Sequence, residues 1–195
     1  MDLGNKRIIL ASASPRRREL MAGLDISFIV DTKNNFTESW DPATPHKDVP
    51  ILMSRGKSHG FWRELEENEI LVTSDTMVLR DTLILGKPHS PEEAAEMLRE
   101  LSGRTHEVIT AVTVRDGKGH EESFSDSTKV RFKELREEEI NYYIENYKPF
   151  DKAGAYGVQE WIGYAAITGI EGSFYTVMGL PVHLVYSAIK RFLAY

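Results

Sequence analysis

The run Ile8-Ile9-Leu10-Ala11-Ser12-Ala13-Ser14-Pro15-Arg16-Arg17-Arg18-Glu19-Leu20 decides how this chain is read. An apolar, β-favouring start gives way to small and hydroxyl residues, then breaks at a proline followed by three arginines. Ser14 is a good N-cap and Pro15 suits the first helical position, so a helix begins there. Its first turn carries Arg16, Arg17 and Arg18, the wrong sign for the positive end of a helix dipole. An anion seated at that helix end would account for the charge. It would be held by free backbone N–H groups, the Ser14 hydroxyl and the guanidinium groups, making a phosphate cradle. An exposed basic helix start with solvated arginines accounts for it equally well, and the stretch by itself does not separate the two.

The chain of 195 residues is long enough for one α/β domain or two tightly joined lobes. Its hydrophobic fraction of 41% supports a real core. A formal net charge of −6 argues against nucleic acid as a partner, so any polyanion-binding patch must be local and fits a small phosphorylated ligand better than a duplex. The absence of cysteine excludes disulfides, thiolate metal sites and cysteine nucleophiles. No apolar run approaches membrane-spanning length, and Ile8–Leu10 is too short for a signal-peptide core, so the expectation is a cytoplasmic protein with no membrane partner.

Outward from the first strand (about Ile8–Ala11) and the helix from Pro15 to about Gly23, Ile26–Val30 reads as a second strand. Residues Asp31 to Pro50 read as a long polar loop, the kind that is functional or mobile in a compact domain. A helix is expected from about Val49 to Glu67, with Ile51, Leu52, His59, Phe61 and Leu65 as contacts and Lys57 mid-helix. Glu69–Thr73 is a strand ending in Ser74-Asp75-Thr76, followed by a hairpin of Met77–Leu79 and Leu83–Leu85 closed by Gly86-Lys87-Pro88. Ser90-Pro91-Glu92-Glu93 is a capped helix start, Gly103 its end, and strands follow over His106–Val114 and His120–Phe132. Leu135–Tyr147 is a helix with Tyr142, Tyr143 and Ile144 inward, Ile162–Gly169 a strand, and the last helix starts at Pro181. Strands mixed with helices of this length define an α/β class.

Beside the arginine turn, four places can carry chemistry. Asp75 follows an apolar strand at what reads as its carboxyl edge, where open α/β sheets bind ligands. Lys87 is a cation on a stiff Gly-Lys-Pro turn, and Asp151-Lys152-Ala153-Gly154-Ala155-Tyr156-Gly157-Val158-Gln159 gathers charge, glycines and an amide. Glu38 supplies a second carboxylate from the long loop. Two carboxylates and several cations suit metal-assisted phosphoryl chemistry. Each also has a plain reading: Asp75 as a turn former, Lys87 as part of an ordinary turn, Asp151-Lys152 as a surface ion pair, Glu38 as a solvated loop residue. The six histidines show no zinc spacing, and neither a P-loop nor a G-x-S-x-G elbow is present.

Taken in order, Leu10–Arg17, Ser74-Asp75-Thr76, Ile84–Pro88, Leu101–His106, Asp151–Gln159 and Gly179-Leu180-Pro181 resemble the Maf family of nucleotide pyrophosphatases. The resemblance runs from Ile8 to the last helix. It implies one domain over residues 1–195, an elongated mixed central sheet between two lobes with an active-site cleft, similar to inosine triphosphate pyrophosphatases. It implies hydrolysis of a nucleoside triphosphate to the monophosphate and pyrophosphate with a divalent cation, Mg²⁺ or Mn²⁺. Asp75 would be the proton acceptor. Ser14, Arg16, Arg17, Lys57, Lys87 and Asp151 would serve the phosphates and the site, and Glu38 with Asp75 the metal. The family's specificity positions match Arg16, Thr76 and Gln159, and the sequence around Gln159 looks like the branch acting on dTTP and UTP. A glutamine amide offers both a donor and an acceptor to the adjacent carbonyl and N3–H of uracil or thymine. Glu160 and Trp161 beside it leave open the 7-methyl-GTP branch, since a positively charged base suits a carboxylate or an aromatic face. The family is also linked to inhibition of septum formation, and it suggests a homodimer. Ala111 and Asn146-Tyr147-Lys148-Pro149 depart from its usual pattern while leaving the Asp-Lys-Ala-Gly core intact.

Overall fold

The computed structural model describes residues 2–194. In chain order it contains β1 (Arg7–Leu10), α1 (Pro15–Ala22), β2 (Phe28–Val30), α2 (Val49–His59), β3 (Glu69–Arg80), β4 (Leu83–Leu85) and α3 (Pro91–Leu101). It continues with β5 (Thr105–Asp116), β6 (Glu121–Phe132), α4 (Glu137–Tyr147), α5 (Trp161–Ala166), β7 (Ile167–Glu171), α6 (Phe174–Met178) and α7 (Val182–Phe192). Among the described residues the strands pair in the order β2-β1-β3-β5-β6-β7, with β4 added to β3. β1 lies parallel to both β2 and β3, whereas β3–β4 and β6–β7 are antiparallel, so the sheet is mixed and the class is α/β as expected. A parallel strand covered on both faces needs an unbroken apolar run, and Ile8, Ile9 and Leu10 are all buried.

The chain divides into two compact units. One is formed by the stretch ending at Asp75, by Thr110–Asp126 and by the stretch beginning at Gly179; the other by Thr76–Ile109 and Ser127–Met178. In the first, Ile70, Leu71 and Val72 of β3, Val112 and Val114 of β5, and Val185, Ala188, Ile189 and Phe192 of α7 are buried. In the second, Leu98 and Leu101 of α3, Val130 and Phe132 of β6 and Ile140 and Tyr143 of α4 are buried, and Arg99 clasps Glu137 with two bonds of 2.8 Å between α3 and α4.

Four elements differ from the sequence reading. β3 does not stop at Thr73 but runs on to Arg80. Its parallel partner β1 ends with Leu10 opposite Val72, and from Val78 onward β3 pairs with β4, so Ser74-Asp75-Thr76 mark a change of partner rather than a strand end. α2 ends at His59, not near Glu67: Gly60 closes it through a bond to the Gly56 carbonyl, and Phe61 is drawn into a bridge with Asn34 and a cluster with Ile9 and Leu71. Its inner face is Val49, Pro50, Met53, Ser54 and Ser58, with Leu52 and His59 exposed, because the serine hydroxyls bond to Thr113 and Arg115. Residues Ile162–Ala166 are helical and the strand begins only at Ile167; Gly163 sits against the Val158 carbonyl, where a Cβ would lie 1.9 Å from the oxygen, so the chain turns too sharply there to be extended. Tyr142 is exposed, while Tyr143 and Ile144 are buried as expected. The Phe174–Met178 helix had no capping or periodic signal to announce it.

Candidate active site

The arginine turn resolves into different jobs. Ser14 caps α1, its hydroxyl accepting from the Arg17 N–H at 3.5 Å, and no acidic residue occupies the first turn. Arg17 turns inward: its Nε donates to the Gly179 carbonyl at 2.8 Å and its Nη1 to the Ser74 carbonyl at 2.9 Å and to Ser12 Oγ at 3.3 Å. Ser74 Oγ also donates to the Gly179 carbonyl at 3.2 Å. Burial pushes the Arg17 guanidinium below its ordinary value, an effect the nearby Asp75 and Glu38 carboxylates oppose and the Arg16 charge reinforces. Arg17 thus fixes the backbone immediately before Asp75. Arg18 folds back onto the Ala13 carbonyl at 3.3 Å, and Arg16 stays half-buried on the same turn.

Lys57 is the meeting point of this unit. Its ammonium lies 2.6 Å from Asp75 Oδ1 and 2.8 Å from Glu38 Oε1, so the two carboxylates of the loop and the strand converge on one cation. Asp75 lies three residues beyond Val72, the last β3 residue paired with β1, so it stands at the carboxyl end of the parallel segment although its own strand continues. The approach of α2 to β3 is set by hydroxyls: Thr73 Oγ1 donates to the Ser54 carbonyl at 2.7 Å, and the hydroxyls of Ser54, Thr113 and Ser123 form a chain with steps of 3.0 and 2.9 Å. Ser54 is one helical turn before Lys57, so this ladder fixes the register that aims the lysine.

In the second unit the Gly86-Lys87-Pro88 turn is tied to the glycine loop by a bond of 3.0 Å from the Gly154 N–H to the Gly86 carbonyl, and Lys87 is exposed. Thr76 is half-buried on β3. Asp151 and Lys152 form a pair with only one end at the surface: Asp151 is exposed, whereas Lys152 is buried, its ammonium 2.7 Å from Asp151 and 3.1 Å from Glu160. Glu160 also receives the Tyr143 hydroxyl, and the Gly157 N–H donates to that same hydroxyl oxygen at 2.9 Å. Burial, and then the Glu160 carboxylate, push the Tyr143 phenol upward; burial alone does so for Tyr156. Tyr156 pairs with His106 Nε2 at 2.7 Å between edge-on contacts to Phe132, and burial pushes His106 down to about 4. Gln159 follows Tyr156 and precedes Glu160 in this network, and among the described residues its Oε1 is buried without a hydrogen-bond partner.

Sequence reasoning missed the supports: Tyr143 and Glu160 in their network, the His106–Tyr156 pair, and Phe36, considered below. The Leu101–His106 motif was the available signal for His106. Nothing marked Tyr143 beyond its apolar periodicity, because a hydrogen bond made by a core tyrosine leaves no pattern in sequence.

The α/β sheet carries, near the end of its parallel strands, a carboxylate–lysine–carboxylate group of the kind that enzymes use for acid–base chemistry. The chain belongs to the family described as Maf-like protein, which it matches over residues 7–192. It is 47% identical over 193 residues to a dTTP/UTP pyrophosphatase of Porphyromonas gingivalis, covering 98% of this chain and 96% of the relative. The dTTP/UTP pyrophosphatase of Phocaeicola vulgatus is 44% identical over 190 residues, covering 97% and 98% of the two chains. That of Flavobacterium johnsoniae is 47% identical over 180 residues, 92% of each. Among solved structures, a nucleoside-triphosphatase / dITP/XTP pyrophosphatase from Mycobacterium abscessus aligns over 96% of both chains with a TM-score of 0.46 and 15% identity.

Proposed function

We propose that this protein hydrolyses dTTP and UTP to the nucleoside monophosphate and pyrophosphate. The observation that carries the reading is the convergence of Asp75 and Glu38 on Lys57, in a chain whose relatives at 42–47% identity bear the name dTTP/UTP pyrophosphatase. In this mechanism Asp75 takes a proton from the attacking water as the water's oxygen bonds to phosphorus and the P–O bond between the α and β phosphates breaks, with pyrophosphate leaving. Lys57 holds the Asp75 carboxylate in place and places positive charge beside the anhydride, as do Arg16 and the Ser14 end of α1. Arg17 acts from behind by fixing Ser74. In the second unit, Lys87 and Asp151 are assigned to the phosphates and their support, and Gln159 with Thr76 to the base.

Glu38 and Asp75 are the residues that would hold a hard divalent cation, Mg²⁺ or Mn²⁺. Both offer oxygen only, and both approach the Lys57 ammonium, so a cation held by them would share them with that lysine; among the described residues no group of three His, Cys, Asp or Glu side chains is placed to cage a metal. Such a donor set suits a cation that keeps waters and takes its remaining ligands from the substrate phosphates. When bound there, it supplies neutralisation of the polyphosphate charge.

The pyrimidine preference is supported by Gln159 Oε1, an acceptor with no partner among the described residues and suited to the N3–H of uracil or thymine. The two residues that favoured a methylated purine are engaged elsewhere: Glu160 by Lys152 and Tyr143, and Trp161 by an edge-on contact with Tyr142 at 4.8 Å. A nucleoside triphosphate substrate is the support for a cytoplasmic compartment. Among the described residues no helix is long and apolar enough to cross a membrane.

The test is pyrophosphate release from dTTP, UTP, CTP, 7-methyl-GTP, ITP and dATP, with Mg²⁺ or Mn²⁺ and an EDTA control. Metal-dependent release from dTTP and UTP is expected. Release from 7-methyl-GTP alone would overturn the base preference, and release from none of them would overturn the activity.

A further inference from the structure

The loop that carries Glu38 has little to hold it. From Thr32 to Ala43 every residue is exposed except Phe36, which is half-buried. The Phe36 ring lies across α2 at Gly56, where a Cβ would sit 2.3 Å from the ring carbons Cε2 and Cζ. One turn on, a Cβ at Gly60 would sit 2.6 Å from Phe36 Cβ and 2.7 Å from Asn34 Oδ1. Both distances are below any real Cβ contact, so two glycines four residues apart form a groove that only a bare helix face provides. Polar bonds line its edge: Asn34 Nδ2 donates to the Lys57 carbonyl at 2.6 Å, the Asn35 N–H to the Gly60 carbonyl at 2.7 Å, and the Phe36 N–H to Asn34 Oδ1 at 2.8 Å.

We infer that Phe36, seated between Gly56 and Gly60, is the positioning residue that delivers Glu38 to Lys57. Two residues of chain span at most about 7 Å, so a seated ring leaves Glu38 little room to leave the ammonium it contacts. Neither glycine needs a positive φ for its backbone, and Gly56 lies inside a helix, where glycine is a poor choice. Its use there is explained by the ring it admits. The consequence for turnover rests on the proposed pyrophosphatase activity; the docking itself does not.

The discriminating variant is Gly56→Ala. Alanine favours the helix more than glycine does, yet its methyl group occupies the ring's place. Gly56→Ala and Phe36→Ala are therefore expected to retain or raise thermal stability and to retain it, respectively, while amide exchange across residues 31–40 speeds up by about tenfold or more. For dTTP, kcat is expected to fall about tenfold in both, since a displaced group near the reacting centre costs rate steeply. In a Glu38→Ala background the same changes should cost less than about twofold, because their effect acts through Glu38. Unchanged exchange over 31–40, or losses that multiply with Glu38→Ala, would overturn the inference. If the unaltered protein releases no pyrophosphate from any nucleotide, the proposed activity falls, and the same cycle is read from the acetylation rate of Lys57. Phe36→Ala, Gly56→Ala and Glu38→Ala should then raise that rate alike, and a rate raised by Glu38→Ala alone would overturn the inference.

Discussion

Lys57 Nζ and Asp75 Oδ1 lie 2.6 Å apart, one on a helix and one on a strand, eighteen residues apart in sequence. A contact that short between opposite charges fixes the carboxylate's orientation as well as its neighbourhood. The partner strand β1 ends at Leu10 opposite Val72, so Asp75 stands where the parallel pairing has run out. The lysine reaches it because the Ser54–Thr73–Thr113 hydroxyl contacts bring α2 close to β3.

Replacing Asp75 by Asn keeps the shape and one acceptor but removes the carboxylate proposed as proton acceptor. Turnover of dTTP should fall by about 10²- to 10⁴-fold, the usual worth of a positioned proton acceptor, with the melting temperature little changed. Steady-state kinetics with a melting curve on the same preparation checks both. A kcat within a factor of three of the unaltered enzyme would remove Asp75 from the chemistry.

Arg17 separates two ideas about the arginine turn. If its work is the fork onto Ser74, Gly179 and Ser12, then Arg17→Lys keeps the charge and loses most of the bonds, because an ammonium cannot reproduce a planar fork. The expected cost is about 1–3 kcal/mol of stability, from carbonyls left unmatched. Urea unfolding reads it directly. A raised KM for dTTP with unchanged stability would show instead that Arg17 serves the phosphates alone.

Gln159→Glu should spare the fold and alter the base preference. The carboxylate keeps acceptors and loses the amide donor, so one of two complementary bonds to the pyrimidine is replaced by repulsion between acceptors. The ratio of kcat/KM for dTTP to that for 7-methyl-GTP should fall by about 10- to 100-fold, as expected when a site built to pair a polar edge is mismatched. An unchanged ratio would mean that Gln159 does not read the base.

Much of this molecule is legible from residue patterns that act locally. The Ile8–Leu10 run, the Ser14-Pro15 start and the Ser90-Pro91-Glu92-Glu93 start each specify their element from within, and the structure reproduces them; Glu93 turns back to the His89 N–H at 2.7 Å. The errors fall where distant partners decide. β3 reads as ending at Thr73 because polar Ser74-Asp75-Thr76 interrupt the apolar run, but a strand that changes partners continues through them. α2 reads as eight residues too long because Phe61 and Leu65 continue its periodicity, although both pack with Ile9 and Leu71 after the helix has closed. The site shows the same division. Asp75, Lys87 and Gln159 stand out as charged or polar residues in motifs and Lys57 enters only through the family resemblance, whereas Phe36 and Tyr143 matter through contacts with residues 20 and 17 positions away, which no local pattern encodes.

His106 gives the protein an acid limit. It is buried with Tyr156 and Phe132 and held neutral, its value pushed down to about 4 by desolvation, against about 6.5 in the unfolded chain. Between those values the unfolded state binds a proton that the folded state refuses, so stability falls as pH drops from about 6.5 and levels off below about 4. A gap of about 2.5 units corresponds to about 3 kcal/mol lost across that window. His106→Gln removes the titration and should flatten that part of the profile, even if the amide lowers stability at pH 7.5 by disturbing the bond to Tyr156. Urea midpoints for both proteins from pH 7.5 to 4.5 give the comparison. Parallel profiles would show that other groups set the acid limit, whereas a shallower slope in the variant would assign it to the side chain that anchors the loop carrying Gln159.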